Sequence, residues 1–410
     1  MLLKIYQWIC RILLSKISIK RGALDFQSTP QKKIYWFHAA SAGELESLWP
    51  VILNEAKSAD LILTVFSRSG LKPLERLKSE LKAMGVTPIA SGLSPLEGYW
   101  ESAFRKFRPR LWITAKYEAW PEVWAVLSGM KIPLVVVGAQ KRNSFQIARA
   151  MVLYAFRLSL PKILFTAPGA MHAGLMQGLF PASEVQVLPD PRWKRVYARS
   201  EKENPRARFL TQELQKLPKL WGILGSTWSE DLKLWSESAQ KFSGTLWVVP
   251  HEVNTPSITA TCEWLRKRGK LACLSSEIQK PGDSQKWTTA TAVVVNEIGF
   301  LAELYREMDW VYIGGGFSQG VHSTIEPAIW GLPIACGPKK AEKFAEIEEL
   351  QNMEQLTLIH TSTQLENWMQ GNLRSEMPAQ KAIWIQQSQQ RRIELDRGIS
   401  VLHDRLEMLL

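Results

Sequence analysis

The chain has 410 residues, 46% hydrophobic and 22% charged, which excludes a disordered polypeptide and is about the length of two ordinary domains. Its 51 Lys+Arg against 39 Asp+Glu leave a net charge of +12, which favours an anionic partner (nucleic acid, acidic lipid headgroups or a phosphorylated substrate) without choosing among them. The four cysteines, Cys10, Cys262, Cys273 and Cys336, lack CxxC spacing and a nearby histidine cluster, so they read as reduced structural thiols of a cytoplasmic protein, and the 18 tryptophans as core packing with a minority at a membrane interface.

Residues 1–33 hold seven Lys/Arg (Lys4, Arg11, Lys16, Lys20, Arg21, Lys32, Lys33) and one acid, Asp25. Lys4, Gln7, Arg11 and Ser15 recur at helical spacing on one narrow face, while Leu2, Leu3, Ile5, Tyr6, Trp8, Ile9, Ile12, Leu13 and Leu14 fill the rest. The pattern predicts an amphipathic helix over residues 1–30 lying in the plane of a membrane with its basic tail toward anionic lipid, or else a helix packed on the protein. It is too short and too interrupted by charge to span a bilayer, and no cleavage site follows it.

From there, short apolar runs alternate with helical stretches, the pattern of α/β domains with parallel sheets. Strands are expected at 33–38, 61–66, 110–114, 134–137, 163–166 and 185–188, with helices between them, as at 44–56 and 121–127. The proline- and charge-rich stretch 189–208 reads as a linker. Strands resume at 221–224, 246–249, 270–274, 292–295, 310–313 and 333–336, and the last thirty residues read as helix. The expected domains are therefore 31–195 and 205–410, with a ligand in a cleft between them at the C-terminal ends of the strands.

The sharpest local signal is DWVYIGGGFSQGVHSTIEPAIWGLPIACGP, residues 309–338. A strand ending at Ile313 runs into Gly314, Gly315 and Gly316, then Gly320, then a helix expected near Ser323. Glycines admit a ligand close to the backbone and a helix start offers N–H groups to an anion, so the segment reads as a phosphate seat, although neither a Walker loop nor GxGxxG is matched. His322 would lie near a phosphate and Glu326 near ribose hydroxyls; a packed or capping imidazole and an acid favoured by the helix dipole fit the same spacing.

In WFHAASAGELES, residues 36–47, a strand passes through small residues into a helix whose first turn carries Glu44. A carboxylate there suits a general base, kept ionised by the helix dipole, while Ser41 and Glu44 equally fit a capping box that carries no chemistry. Further polar clusters follow other strands: Ser67, Arg68, Ser69 and Gly70; Lys116, Tyr117 and Glu118; Ser226 and Thr227 at a helix-capping position; His251 and Glu252. Loops on that edge are where α/β ligands bind. There is no DxD, HxH or HExxH motif to argue for a metal.

Taken in order, HAASAGELES, TVFSRSG, KYEAW, GSTWSED, VVPHE and GGGFSQGVHSTIEPAIWGLPIACGP resemble the motif series of the 3-deoxy-D-manno-octulosonic acid (Kdo) transferases, over about residues 33 to 350. The resemblance implies a GT-B fold of two Rossmann-like domains facing a cleft, and an inverting transfer of Kdo from CMP-Kdo to a lipid A precursor without a cofactor or a required metal. It places that reaction at the cytoplasmic face of the bacterial inner membrane, in lipopolysaccharide biosynthesis, and involves no nucleic acid. By position, Glu44 would be the base; Ser226, Thr227, His251, Gly314, Gly315, Gly316, His322, Ser323 and Glu326 would hold the donor; Ser41, Gly43, Arg68, Lys116 and Glu118 would meet acceptor or sugar. The chain departs from the pattern at Ser323, usually Asn, at Arg68, usually proline or threonine, and at Asn296, usually Asp, which bears on donor specificity. A nucleotide-sugar epimerase or another lipid glycosyltransferase of the same fold, and a noncatalytic basic membrane-binding protein, are the competing readings.

Overall fold

The computed structural model describes residues 1–21, 24–140, 142–372 and 377–410. It divides into two compact units, Met1–Arg195 with Arg392–Leu410, and Val196–Arg391.

The first unit carries β1 (Ile34–Ala39), β2 (Asp60–Val65), β3 (Ala90–Leu93), β4 (Leu111–Ala115), β5 (Leu134–Val137), β6 (Ile163–Ala167) and β7 (Glu184–Val187), in the order β3-β2-β1-β4-β5-β6-β7 with every pairing parallel. Because side chains alternate along a strand, β1 buries Ile34 and Trp36 in one apolar layer and Tyr35 and Phe37 in the other. The Trp36 ring lies within 5.1–5.8 Å of Trp100, Phe104, Phe107 and Trp112, so much of the tryptophan excess is core.

The second unit repeats the plan with β8 (Trp221–Thr227), β9 (Thr245–Pro250), β10 (Ala272–Leu274), β11 (Ala292–Val294), β12 (Trp310–Ile313), β13 (Ile334–Cys336) and β14 (Leu356–Leu358), ordered β10-β11-β9-β8-β12-β13-β14, again all parallel. Two seven-stranded parallel sheets are what the expected GT-B class requires. In each sheet the strand order reverses at one point, between β1 and β4 and between β8 and β12. Loops at such switch points diverge and leave a crevice for a ligand.

Three expectations change. The stretch 189–208 is not an open linker, since helices Arg192–Ser200 and Pro205–Glu213 occupy most of it, with Trp193 and Tyr197, four residues apart, buried on one face. The second domain does not run to 410. The final helix, Met377–Leu409, re-enters the first unit after Arg391, and its Leu402, Leu406 and Leu409 fill that unit's second apolar layer. The helix expected near Ser323 is one turn, Ile325–Ala328.

The N-terminal helix, Leu2–Arg21, is built inside out. Its narrow polar stripe faces the protein: Lys4 reaches Glu101 at 2.5 Å, Gln7 donates to Glu101 and Glu122 at 3.0 Å each, and Arg11 Nε donates to the Gly98 carbonyl at 2.5 Å. Gly98 is required there, because a Cβ would lie 2.8 Å from the Gln7 carbonyl. Beneath this seat, burial and the Glu122 charge push the Glu97 carboxyl up to about 9. Most of the apolar residues point outward instead, Trp8 64% and Leu13 73% exposed, with Ile5, Ile9, Ile12 and Ile17 exposed beside them, while Leu3 and Tyr6 pack inward. The side chains of Lys16, Lys20 and Arg21, part of the expected basic tail, lie outside what is described. Among the described residues no helix is long and apolar enough to cross a membrane.

Candidate active site

At the switch point of the first sheet, β1 hands the chain through Ser41 into the helix Ala42–Glu55. Ser41 caps no helix N–H with its side chain, so the full capping box does not form. Instead its hydroxyl donates to Glu44 Oε2 at 2.9 Å and its backbone N–H adds a second bond. Glu44 is 7% exposed, and loss of hydration raises its pKa against the opposing pull of Ser41, Lys116 and Arg142. The expectation that the helix start holds this carboxyl low is thereby reversed: desolvation outweighs the dipole, which makes Glu44 a stronger base.

β4 delivers the partners. Lys116, in the left-handed region at φ 58°, is buried with its ammonium 3.6 Å from the carboxylate of Asp190. Burial alone would raise Asp190, but Arg192 and Lys116 hold it down at about 2, and Arg192 donates to it through both backbone N–H and Nε at 2.9 Å. Glu118 is pushed up to about 8 by desolvation and by the Glu44 charge, although Trp120 Nε1 donates to it at 2.7 Å. Arg142 lies 4.0 Å above the Tyr117 ring and acts electrostatically on both Glu44 and Glu118. Ser41, Glu44, Lys116 and Glu118 thus come together. Gly43 and Arg68 lie exposed on the adjoining turns, and open space surrounds Gly43, so nothing local requires a glycine there. His38 remains inside, stacked on Trp112 at 5.2 Å with Nδ1 3.1 Å from Thr64 Oγ1.

At the switch point of the second sheet, the ends of β8 and β12 meet. Ser226 adopts φ 54°, and a Cβ on Gly314 would stand 2.4 Å from its carbonyl oxygen. Gly315, at φ 88°, could not bear a Cβ either, since Gly320 O would lie 2.3 Å away. The loop is locked by Asp231, whose Oδ2 accepts from the backbone N–H of Trp228 and of Gly315 at 2.9 Å each while Tyr312 donates to Oδ1 at 2.8 Å. Gly314 N–H is also engaged, by Gly225 O at 2.9 Å. The first two glycines therefore shape the loop rather than donate to an anion. Ser226 and Thr227 are strand residues; the cap of the following helix is the Asp231 carboxylate, not either hydroxyl.

Beside the loop, His251 stacks between Trp228 and His322 with centroids 4.5 Å apart on each side. Trp228 Nε1 donates to His322 Nε2 at 3.3 Å, which fixes the tautomer with its proton on Nδ1. Burial and the neighbouring His251 lower His322 to about 4, so it is neutral near pH 7. Ser323 is exposed, and Glu326, on the one-turn helix, pairs with Arg199 at 3.7 Å. Asn296 accepts from Ser275 Oγ and Ser276 N–H at 3.0 Å and donates to Ser276 Oγ at 2.8 Å, which fixes the turn after β10.

Sequence reasoning passed over Trp228, Asp231, Arg142 and Asp190. Asp231 stood within the quoted GSTWSED, but its partners Gly315 and Tyr312 are 84 and 81 residues away.

Residues 17–194 match the family model of 3-deoxy-D-manno-octulosonic-acid transferase (kdotransferase). The 3-deoxy-D-manno-octulosonic acid transferase of Chlamydophila psittaci is 24% identical over 333 residues, 78% of this chain and 73% of the relative. The probable mitochondrial enzyme of that name from Arabidopsis thaliana is 26% identical over 356 residues, 82% of this chain and 76% of the relative. Among solved structures, UDP-GlcNAc 2-epimerase from Neisseria meningitidis superposes with a TM-score of 0.58 at 12% identity, over 92% of this chain and all of that one. Anabaena HepE bound to UDP-glucose gives 0.57 at 11%, with the same coverage. These two likenesses concern the fold alone. The family match over the first sheet and the named relatives along three-quarters or more of the sequence make this chain similar to the Kdo transferases, which are glycosyltransferases.

Proposed function

We propose that this chain transfers Kdo from CMP-Kdo to a lipid A precursor with inversion, at the cytoplasmic face of the bacterial inner membrane. The observation that carries the reading is Glu44, a desolvated carboxylate on the first turn after β1, oriented by Ser41 and flanked by Lys116 and Arg142. Glu44 takes the proton from an acceptor sugar hydroxyl as its oxygen bonds to the anomeric carbon. The glycosyl–phosphate bond breaks and CMP leaves with the electron pair. The second unit serves the donor: the Asp231-locked loop shapes the seat, and neutral His322, carrying its proton on Nδ1, is the side-chain donor beside it. Ser226, Thr227, Ser323 and Glu326 belong to the same donor reading, and Gly43, Arg68, Lys116 and Glu118 to the acceptor. No cofactor or metal is assigned a step.

The N-terminal helix supports a lipid acceptor, since its exposed face is apolar and its polar stripe is spent on the protein. Each of its half-exposed apolar side chains gains roughly 1 kcal/mol on leaving water, so together they suffice for reversible attachment to a bilayer.

The test is transfer from freshly generated CMP-Kdo to lipid A precursor in mild detergent, wild type beside Glu44→Ala. Loss of transfer in a folded variant that still binds CMP is expected. Robust transfer by the variant would overturn the base assignment, and an inactive wild type that binds UDP instead would move the chain to the epimerase reading.

A further inference from the structure

The N-terminal helix offers one apolar signal, and a single signal of that size gives only marginal binding, on the order of 10⁴ M⁻¹ for one acyl chain. A second contact is needed for stable residence, and the same unit carries a candidate. From residue 123 to 183 the sequence has no Asp or Glu, although the chain holds 39, and it has six Lys/Arg: Lys131, Lys141, Arg142, Arg149, Arg157 and Lys162. Within that stretch the helix Asn143–Ala150 runs on into a π-helical turn, Met151–Ala155. Ile147 is 56% and Tyr154 71% exposed, with Ala150 exposed between them, while Phe145, Ala148 and Val152 hold the opposite side in the core.

Two further observations tie this surface to the proposed reaction. Phe156, just past the π turn, meets Tyr6 of the N-terminal helix with ring centroids 5.4 Å apart, so the two elements touch. At its other end the segment starts at the candidate base: Arg142 is the residue before the helix, it acts on Glu44, and Ser144 Oγ donates to the Tyr117 carbonyl at 2.7 Å.

We propose that residues 143–162 form a second membrane-contact element, specific for anionic lipid, that seats the edge carrying Glu44 on the bilayer surface. Ile147 and Tyr154 enter the interfacial region, and Arg157 and Lys162, both exposed, meet lipid phosphates. The inference rests on the membrane reading of the N-terminal helix. It commits to a bilayer rather than a second copy of the chain because a segment without acids, carrying exposed Arg157 and Lys162, offers no opposite charge to its own copy and attracts anionic lipid.

The experiment is flotation of the full chain with vesicles of phosphatidylcholine alone or with 30% phosphatidylglycerol, for wild type, Ile147→Ser/Tyr154→Ser, Arg157→Gln/Lys162→Gln and Trp8→Ser/Leu13→Ser, each with an unchanged melting curve. The 147/154 pair is expected to weaken binding to both vesicle types about tenfold, and the 157/162 pair to weaken it about tenfold on the anionic vesicles only. Hydrogen exchange should show amides 143–155 protected by anionic vesicles. Wild-type levels of binding by both pairs, with loss only in the 8/13 pair, overturn the second contact and leave the membrane reading standing. No binding by wild type to either vesicle overturns the membrane reading itself. A wild-type dimer that becomes a monomer in the 147/154 pair, with vesicle binding unchanged, assigns the face to self-association and overturns the proposal.

Discussion

The two switch points use the same architecture for opposite kinds of preorganisation. After β1 and β4, the first unit assembles charge: Glu44, Glu118, Lys116, Asp190 and Arg142, several of them displaced from their usual protonation by desolvation and by one another. After β8 and β12, the second unit assembles backbone: glycines without room for a Cβ, a left-handed serine, and one carboxylate that ties two loops together. His322 there is neutral and stacks on His251. A proton-transfer step needs a tunable carboxylate, and recognition of a rigid leaving group needs a fixed contour. Under the proposed reaction each would come from its own sheet.

That contrast can be broken in graded steps. The largest effect is expected for Glu44→Gln, which keeps shape and removes the base: transfer falls by about 10³ while CMP affinity, measured by calorimetry, stays near wild type. Gly315→Ala should do the reverse, weakening CMP roughly 30-fold by forcing a Cβ into a left-handed backbone against Gly320 O, with no change in the pH dependence of the remaining activity. Next is the buried anion of the first unit. Asp190 sits at about 2 when folded against 3.8 ordinarily, so its contribution is complete above pH 4 and is lost as pH falls from 4 toward 2. Thermal melts across that window should lose about 2 kcal/mol, a component absent from Asp190→Asn. A smaller change follows for Ser41→Ala. Removing a bond to the charged form raises Glu44 further, so the acidic limb of the pH–rate curve moves to higher pH. The smallest effect is in the second unit: with His322 at about 4, its imidazole signals followed by NMR should stay flat between pH 5.5 and 7.5, and a midpoint inside that range would show that the imidazole is not held neutral.

The alternation of apolar runs was enough to foresee most of the strands, and the stretches after them identified most of the residues that gather at the two edges. What escaped did so for physical reasons. β3 (ASGL) and β14 (LTL) are too short to show a period. Residues 192–200 look like a linker because arginine and lysine dominate, yet Trp193 and Tyr197 carried the helical signal at a spacing of four. The polar stripe of the N-terminal helix was legible, but which way it faced depended on Glu101 and Glu122, more than ninety residues on. Asp231 and Asp190 act through partners distant in sequence, and no spacing rule reaches that far. Pro327 and Gly331 were in plain view and foretold how soon the helix after Ser323 ends.

The return of the last helix into the first unit has a consequence for biosynthesis. A ribosome completes residues 196–391, a self-contained folding unit, before it makes the leucines that finish the earlier one. Until Leu402, Leu406 and Leu409 emerge, the helical face beneath Glu55 and Trp49 stays open to water, and the nascent chain carries an unfinished first half behind a finished second. Truncation of as few as ten residues from the end would therefore be felt at the beginning of the chain, where the candidate base resides.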